Sequence, residues 1–297
     1  MSAVFLENEK LKVMILKKGA ELRSIYGKEK NLEYMWNADA KFWGKSSPLL
    51  FPFIGRLNGK KYRHNGVVYD MEPHGFVKDM EYEVISQSED EVWFAIKDTE
   101  ETFAKYPFHF CLEAGYRLED YTLRVMWRVR NTNDYDMHFS IGAHPAFSCP
   151  LYEGDKQTDY FIALKDEEGK RLDSFVNTLL APGGLTSDEK EVRVYEEGLI
   201  PITEDLFDVD TLVIEKNQVR QVTLVDSHKR EYLNVKCDTP LLCIWSPARK
   251  NAPFVCLEPW YGRCDCAGYE GELKDREYGN TIGAGEVFEA EYTIEIL

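Results

Sequence analysis

Apolar and polar residues alternate with a period of two over much of this chain. The clearest run has four apolar residues on one side and mostly charged residues on the other: Leu123, Val125, Trp127 and Val129, against Arg124, Met126, Arg128 and Arg130. Such alternation is typical of a β-strand with one buried face and one solvated face. Shorter runs of the same kind occur at residues 11–16, 81–86, 92–97, 111–117, 221–225, 232–236 and 288–297. The pattern therefore predicts antiparallel strands along most of the chain.

Two stretches are apolar without alternation, at residues 241–245 and 254–257. A continuous apolar run is expected where a strand is covered on both faces, so these two predict the centre of a sheet. Turn signals separate other strands, and Asn65-Gly66 is the strongest predictor of a hairpin among them. A helix is indicated after residues 98–101, which resemble an N-terminal cap, and Pro107 ends it within about two turns.

The chain of 297 residues shows no linker and no internal repeat. The segment Ala181-Pro182-Gly183-Gly184 predicts a surface loop and not a domain boundary, because strand-like runs continue on both sides. All-β architectures of this length often form one domain. We therefore predict an all-β fold, a large antiparallel β-sandwich, as a single domain over residues 1–297.

The charge balance narrows the possible partners. The formal net charge of -16 argues against nucleic acid or an anionic membrane, because both require a basic surface on the protein. A small neutral ligand is easier to accommodate. The N-terminus lacks the pattern of a signal peptide, and no apolar run is long enough to span a bilayer.

The cysteines suggest a reducing environment. There are seven, an odd number, which is expected of free thiols in the cytoplasm. Cys264-Asp265-Cys266 contains the closest pair, but it lacks the two-residue spacing and the second pair that structural zinc sites usually show. The spacing therefore favours buried or half-buried thiols over a metal site.

Two titratable residues stand before a proline and beside apolar residues. His144 lies in Ile141-Gly142-Ala143-His144-Pro145-Ala146-Phe147, and Glu258 ends an apolar run and precedes Pro259. Proline disfavours helix for the residue before it, so both side chains are expected on extended backbone. Histidine titrates near neutral pH and a carboxyl in an apolar setting has a raised pKa, so the two types suit proton transfer. The alternatives are a structural, hydrogen-bonded histidine and a glutamate that reaches solvent at a strand end.

Arg56 and His74 are further candidates. Arg56 closes the stretch Phe51-Pro52-Phe53-Ile54-Gly55, and its guanidinium suits hydroxyls or an anion, although pairing with a surface acid would explain it equally well. His74 precedes Gly75, which lets a ligand approach the backbone, yet this histidine could instead cap a turn. Trp260 and Tyr261 follow Glu258 closely and could supply aromatic surface on which a sugar ring stacks.

Four motifs follow one another along nearly the whole chain: Phe-Pro-Phe-Ile-Gly-Arg, Pro-His-Gly-Phe, Gly-Ala-His-Pro-Ala-Phe and Leu-Glu-Pro-Trp. Together with the all-β pattern, this ordered set resembles the aldose 1-epimerase (galactose mutarotase) family and, within it, the LacX-type branch. The resemblance implies a large β-sandwich with an open sugar-binding cleft. It also implies interconversion of the α and β anomers of an aldose, with no metal and no organic cofactor.

The resemblance assigns roles to individual residues. Glu258 would be the general base that removes the proton of the C1 hydroxyl, and His144 the general acid that protonates the ring oxygen. The ring would open to the aldehyde and reclose with these roles reversed. The pair would have to work with Glu258 ionised and His144 protonated. The substrate-binding residues would be Arg56, His74 and Asp210, with Asp208 as the alternative to Asp210.

Three alternatives stay open. The hexose-6-phosphate epimerase branch usually carries an arginine for phosphate where this chain has Lys78, which can bind phosphate only as a point charge. A non-catalytic carbohydrate-binding or sensing protein would use the same cleft without the proton-transfer pair. A metal-dependent enzyme would use His74, His138 and His144, but Gly142 interrupts the strand between the last two.

Overall fold

The computed structural model of the protein describes residues 2–297, whose regular secondary structure is almost entirely β-strand. In chain order the strands are β1 Ala3–Glu7, β2 Leu11–Leu16, β3 Leu22–Gly27, β4 Leu32–Glu33, β5 Leu49–Leu50, β6 Lys61–His64, β7 Val67–Asp70, β8 Glu83–Gln87, β9 Glu91–Lys97, β10 Phe110–Glu119, β11 Thr122–Asn131, β12 Met137–Phe139, β13 Ile141–Ala143, β14 Ala146–Ser148, β15 Phe161–Lys165, β16 Ser174–Ala181, β17 Leu185–Val194, β18 Leu199–Pro201, β19 Leu212–Glu215, β20 Gln221–Val225, β21 Glu231–Cys237, β22 Leu241–Trp245, β23 Phe254–Tyr261, β24 Asn280–Ile282 and β25 Val287–Ile296. The α-helix α1 spans Glu100–Lys105, and 3-10 helices lie at Asn58–Lys60, Val77–Asp79, Gln157–Asp159, Glu196–Gly198 and Leu273–Asp275. Across this described range, no helix combines the length and apolar character that crossing a membrane requires.

Two large antiparallel sheets dominate the structure. One has nine strands in the order β18-β15-β20-β21-β25-β11-β10-β9-β8. The other has eight strands, in the order β17-β16-β19-β22-β23-β13-β5 with β14 also paired to β23. Strands β1 to β4 form a third sheet, while β6-β7 and β12-β24 are two-stranded ribbons. The prediction of a large antiparallel all-β sandwich is confirmed.

The alternation in the sequence corresponds to real strands. In β11 the apolar residues at 123, 125, 127 and 129 are buried, as their period of two predicts. The Asn65-Gly66 hairpin joins β6 to β7, and α1 begins after the capping residue Thr99 and ends before Pro107. For the run predicted at 81–86, the observed strand β8 begins two residues later, at Glu83. Strands β1 and β3 lie outside the predicted runs.

The two continuously apolar stretches lie side by side in the eight-stranded sheet, as β22 and β23. Their residues alternate between the main core and two smaller apolar clusters on the opposite face. Leu242 and Leu257 belong to the main core, which also contains residues of the nine-stranded sheet such as Trp127. Leu241 and Trp260 pack on the opposite face, beneath loops. Glu258, two residues from Trp260 on the same strand, therefore lies on the face directed away from the main core.

Candidate active site

A pocket of about 330 Å³ opens on this outer face of the eight-stranded sheet. Strand β23 supplies its floor, and the loops around it supply its walls. The lining residues are Trp43, Gly55, Arg56, His74, His144, Leu180, Gly184, Asp210, Thr211, Trp245, Glu258, Trp260 and Cys264. The five residues predicted as catalytic or substrate-binding, from four distant parts of the sequence, thus surround one space.

Glu258 and His144 face each other deep in this pocket. Glu258 sits in the centre of the sheet, where β23 pairs with β22 and Cys243 is its cross-strand neighbour. His144 follows the short strand β13, which pairs with the end of β23. His144 Nε2 is 3.3 Å from Glu258 Oε2, and both residues are buried. This Oε2 and the His144 Nδ1 lack a hydrogen-bond partner among the described residues, so the pair has unused polar capacity.

Burial shifts both groups toward their neutral forms. Burial raises the pKa of Glu258 well above its usual range, and the negative charge of Asp210 raises it further. Burial lowers the pKa of His144 well below its usual range, and His74 beside it adds to the effect. Burial therefore favours a neutral pair, whereas the family mechanism implies an ionised one. The physical reason is that few groups solvate either charge.

His74 is locked in place by two backbone contacts with Gly55. The His74 N–H donates to the Gly55 carbonyl oxygen at 3.0 Å, and the Gly55 N–H donates to His74 Nδ1 at 3.2 Å. Burial lowers the pKa of His74 to about 3, so the ring is neutral. Because Nδ1 accepts a hydrogen bond, the proton of the neutral ring lies on Nε2, which becomes a donor. Gly75 is required next to it, since a Cβ there would lie closer than 3.0 Å to the Phe51 carbonyl oxygen.

Arg56 and Asp210 lie together at the mouth of the pocket. Arg56 Nη1 is 3.7 Å from Asp210 Oδ2 and donates to the Gly183 carbonyl oxygen at 2.7 Å. A Cβ on Gly184 would lie closer than 3.0 Å to Arg56 Nη1. The segment 181–184, predicted only as a surface loop, is therefore the β16–β17 turn that holds Arg56.

The two candidate aspartates are separated by the structure. Asp210 lines the pocket, whereas Asp208 is paired with Arg249 and does not line it. Arg56 also pairs with an acid, as the alternative explanation of this residue predicted. That acid is Asp210, which lines the pocket as well.

Three tryptophans form the aromatic walls. Trp260 shares a strand face with Glu258 and lines the pocket as expected, but the expectation for Tyr261 is wrong. The period of two turns Tyr261 to the opposite face, where its ring packs on Phe288 with centroids 5.3 Å apart. The rings of Trp43 and Trp245 lie 4.7 Å and 5.5 Å from the His144 ring, centroid to centroid.

Sequence reasoning missed both of these indoles. Trp245 carried a usable signal, because it closes the predicted strand 241–245 and pairs with Cys256 beside Glu258. Trp43 lies in a loop without periodicity, and nothing in the sequence pattern marks it.

Lys78 and His138 do not line the pocket. The Lys78 Nζ donates to the carbonyl oxygens of Pro73, at 3.2 Å, and Gly75, and thereby supports the His74 loop from behind. His138 lies on β12, with Nδ1 2.9 Å from Thr281 Oγ1. The structure therefore does not assemble the three-histidine set His74, His138 and His144 around this pocket.

A large antiparallel sandwich with this pocket defines a class of sugar-converting proteins, and a comparison of sequences reaches the same class. The aldose 1-epimerase family model matches residues 2–287. The chain belongs to the aldose 1-epimerase family. Family and fold together support a role as a sugar epimerase or mutarotase.

Three bacterial proteins are similar to this chain along its whole length. The chain is 31% identical over 305 aligned positions to the chromosomal protein LacX of Lactococcus lactis subsp. lactis, with 98% of each chain covered. A galactose mutarotase-related enzyme of Lactobacillus acidophilus shares its structure with a TM-score of 0.92 at 30% identity, covering 100% of this chain and 97% of the other. A galactose mutarotase-like protein of Lactobacillus casei gives a TM-score of 0.90 at 31% identity, covering both chains completely.

Proposed function

We propose that this protein interconverts the α and β anomers of an aldose by acid-base opening and reclosure of the sugar ring. The observation that carries the proposal is the 3.3 Å contact between Glu258 Oε2 and His144 Nε2 inside a pocket of about 330 Å³. A single sugar ring fits such a volume at the small end of ligand pockets. Opening a hemiacetal requires one proton to leave the C1 hydroxyl and one to reach the ring oxygen, and this pair supplies both functions.

The steps balance with one proton on the pair. Glu258 takes the proton of the C1 hydroxyl while His144 delivers one to the ring oxygen, and the bond between C1 and the ring oxygen breaks to give the aldehyde. After rotation about C1–C2, His144 takes back the proton of the ring hydroxyl as that oxygen attacks C1. Glu258 then returns its proton to the former carbonyl oxygen. Two such groups, at about 10²–10⁴-fold each, suffice for a reaction that water performs slowly.

The neutral pair that burial favours carries the same number of protons as the ionised pair. Moving one proton across the contact from Glu258 to His144 converts one form into the other, with no uptake from solvent. Sugar hydroxyls that donate to the Glu258 carboxylate stabilise its charged form. We infer that substrate binding itself draws this proton to His144 and prepares the site for ring opening.

The surrounding residues suit a polyhydroxylated ring. His74 presents a donor at Nε2, Arg56 presents a fork of donors and Asp210 presents acceptors. The indoles of Trp260 and Trp245 offer apolar faces for the C–H surface of the sugar. We assign the substrate-binding role to Arg56, His74 and Asp210.

A neutral aldose is favoured over a phosphorylated one. Arg56 is the one cationic side chain among the described lining residues, and it already contacts Asp210. The amino group of Lys78 is engaged by backbone carbonyl oxygens, so it does not offer the phosphate contact considered for it. Seven free cysteines fit a reducing cytoplasm as the place of the reaction.

Polarimetry of a freshly dissolved single anomer tests the proposal, with galactose, glucose and their 6-phosphates as the panel. We expect acceleration over buffer with the free sugars and a loss of most of it in His144→Asn. Thermal unfolding of that variant serves as the control for folding. Measurable sugar binding without any acceleration by the wild-type protein would instead select a carbohydrate-binding or sensing protein.

A further inference from the structure

Three buried side chains, Glu258 and His144 in the pocket and Cys256 next to them, carry the donor atoms that thiophilic divalent cations prefer. We propose that Cys256, His144 and Glu258 form a binding site for such a cation, of the Zn²⁺ class, and that the bound ion blocks the acid-base pair. One donor atom of each residue lies within 4.8 Å of the other two. Over residues 2–297 this is the one group of three His, Cys, Asp or Glu side chains that converges so closely. Thiolate, imidazole and carboxylate are the three ligand types that zinc takes in proteins.

Strand geometry explains how the three donors meet. Cys256 and Glu258 are two residues apart on β23, so their side chains project from the same face of the sheet. Cys256 pairs with Ala146 of β14, which lies two residues beyond His144. The β-ladder that places the proton-transfer pair therefore also places a thiol beside it.

The site contains polar capacity that the protein does not use. Glu258 Oε2 is buried without a hydrogen-bond partner among the residues described, and it faces His144 Nε2. A buried polar atom left unpaired costs free energy, so a ligand that satisfies it gains in affinity. On the same face of the sheet, Cys256 borders an apolar cluster that contains Trp36 and Phe254. No charged side chain of this cluster competes for its thiol. A cation held here would gain a thiolate ligand in a dry setting.

The distances require a small closure of the side chains. Metal–ligand bonds of about 2.0–2.3 Å in a tetrahedral site place the ligand atoms about 3.3–3.8 Å apart. Glu258 Oε2 and His144 Nε2 are already 3.3 Å apart, so it is the thiol that has to approach. Glu258 and His144 line the pocket, which supplies the entry path and room for water at the fourth position. A sugar and the ion would compete, because both use the same carboxylate and imidazole.

Metal affinity should rise with pH. A thiol and a carboxylic acid bind a metal ion as thiolate and carboxylate, so protons compete with the ion for these two donors. Binding as thiolate and carboxylate releases these protons, and a higher pH therefore favours the bound state. Inhibition by the metal should therefore increase as the pH rises, whereas inactivation by acid increases as the pH falls.

Cobalt(II) is the probe for binding, because a thiolate ligand gives it a strong charge-transfer absorption in the near ultraviolet. We expect this band in the wild-type protein and its displacement by Zn²⁺. In Cys256→Ser the affinity for cobalt should fall by about 100-fold, because loss of a direct ligand should cost at least as much as loss of a residue that only hydrogen-bonds to a ligand. Cys256→Ala is the second variant, and thermal unfolding without metal shows that each is folded. Cys264→Ser is the matched control, since the Cys264 thiol lines the pocket but lies outside the donor group.

The inhibitory part of the proposal rests on the proposed function, whereas the cobalt measurement does not. Zinc should slow anomer exchange by the wild-type protein, EDTA should restore it, and Cys256→Ala should keep its rate when zinc is added. An inactive wild type that still shows the thiolate band would overturn the proposed function and leave the metal site standing. A band that survives in Cys256→Ser and Cys256→Ala, or disappears in Cys264→Ser, would overturn the donor set.

Discussion

The pocket contains two pairs of opposite charge type that differ in their surroundings. The side chains of Glu258 and His144 are 1% and 11% exposed, whereas those of Asp210 and Arg56 are 38% and 51% exposed. The atoms that face each other are separated by 3.3 Å in the first pair and 3.7 Å in the second. Similar distances thus have different consequences, because water screens the outer pair and not the inner one.

This difference divides the work of the site. In the inner pair, burial disfavours both charges, so the position of one proton is easily changed by a ligand. In the outer pair the contact is weak and exchangeable, so a sugar hydroxyl can replace it at small cost. The inner pair suits chemistry and the outer pair suits recognition.

The largest effect is expected at the inner pair. Glu258→Gln keeps the size of the side chain but removes the base, so kcat should fall by about 10²–10⁴-fold. Removal of a buried ionisable group should leave the thermal midpoint near that of the wild type. Anomer exchange followed by polarimetry at saturating sugar measures kcat. A variant with more than a third of the wild-type kcat would contradict the assignment of Glu258.

A change in the outer pair should affect binding more than chemistry. Asp210→Asn should raise KM by about tenfold, the equivalent of one hydrogen bond to a charged group, while kcat changes much less. Because the Asp210 charge raises the pKa of Glu258, its removal should let the pair lose its shared proton sooner and so move the basic limb of the kcat/KM profile to lower pH. Asp208→Asn is the control, since Asp208 pairs with Arg249 outside the pocket. Equal effects of the two substitutions would contradict the assignment of Asp210, and not Asp208, as the substrate-binding aspartate.

The inner region should also dominate the sensitivity of the fold to acid. The folded-state pKa of His74 is about 3, against an ordinary value of 6.5, so its contribution to stability is present above pH 6.5. That contribution is lost as the pH falls from 6.5 toward 3, because the unfolded chain binds the proton first. Urea unfolding across this range should show a shallower pH dependence for His74→Gln than for the wild type.

The control for this measurement is His228→Gln, which changes an exposed histidine in a turn. The unfolding free energy of this variant shows how much a histidine substitution outside the pocket changes the result. A His74→Gln profile parallel to that of the wild type would show that His74 is not held neutral by burial.

The smallest effect is expected at the turn that holds Arg56. Gly183 and Gly184 both have positive φ, so alanine costs about 1 kcal/mol or more at either position. A Cβ at Gly183 meets no atom within 4 Å, whereas one at Gly184 collides with Arg56 Nη1. Gly184→Ala should therefore raise KM a few-fold beyond Gly183→Ala, at similar stability. Identical KM values in the two variants would show that the contact between this turn and Arg56 does not contribute to substrate binding.

Sequence reasoning reached the strands and the inner pair for the same reason. An apolar run that ends in Glu258-Pro259 is a local pattern, as is His144 among small residues before a proline. Period-two alternation, applied one residue further, would also have directed Tyr261 away from the pocket. The protonation of the pair could not be predicted, because burial depends on how distant loops cover the sheet. Trp43 and the contact of Arg56 with Gly183 depend on the same distant contacts.

The double contact between His74 and Gly55 has a practical consequence. It closes the chain between these two residues, so the β6–β7 ribbon leaves and returns at one fixed point. The tip of that ribbon, Asn65-Gly66, is exposed, and a Cβ at Gly66 would meet no atom within 4 Å. Exposed turn tips accept inserted sequence better than other positions. A reporter domain or an immobilisation tag can therefore be inserted between Asn65 and Gly66. The two hydrogen bonds between His74 and Gly55 at the base of the ribbon would keep the pocket residues in place.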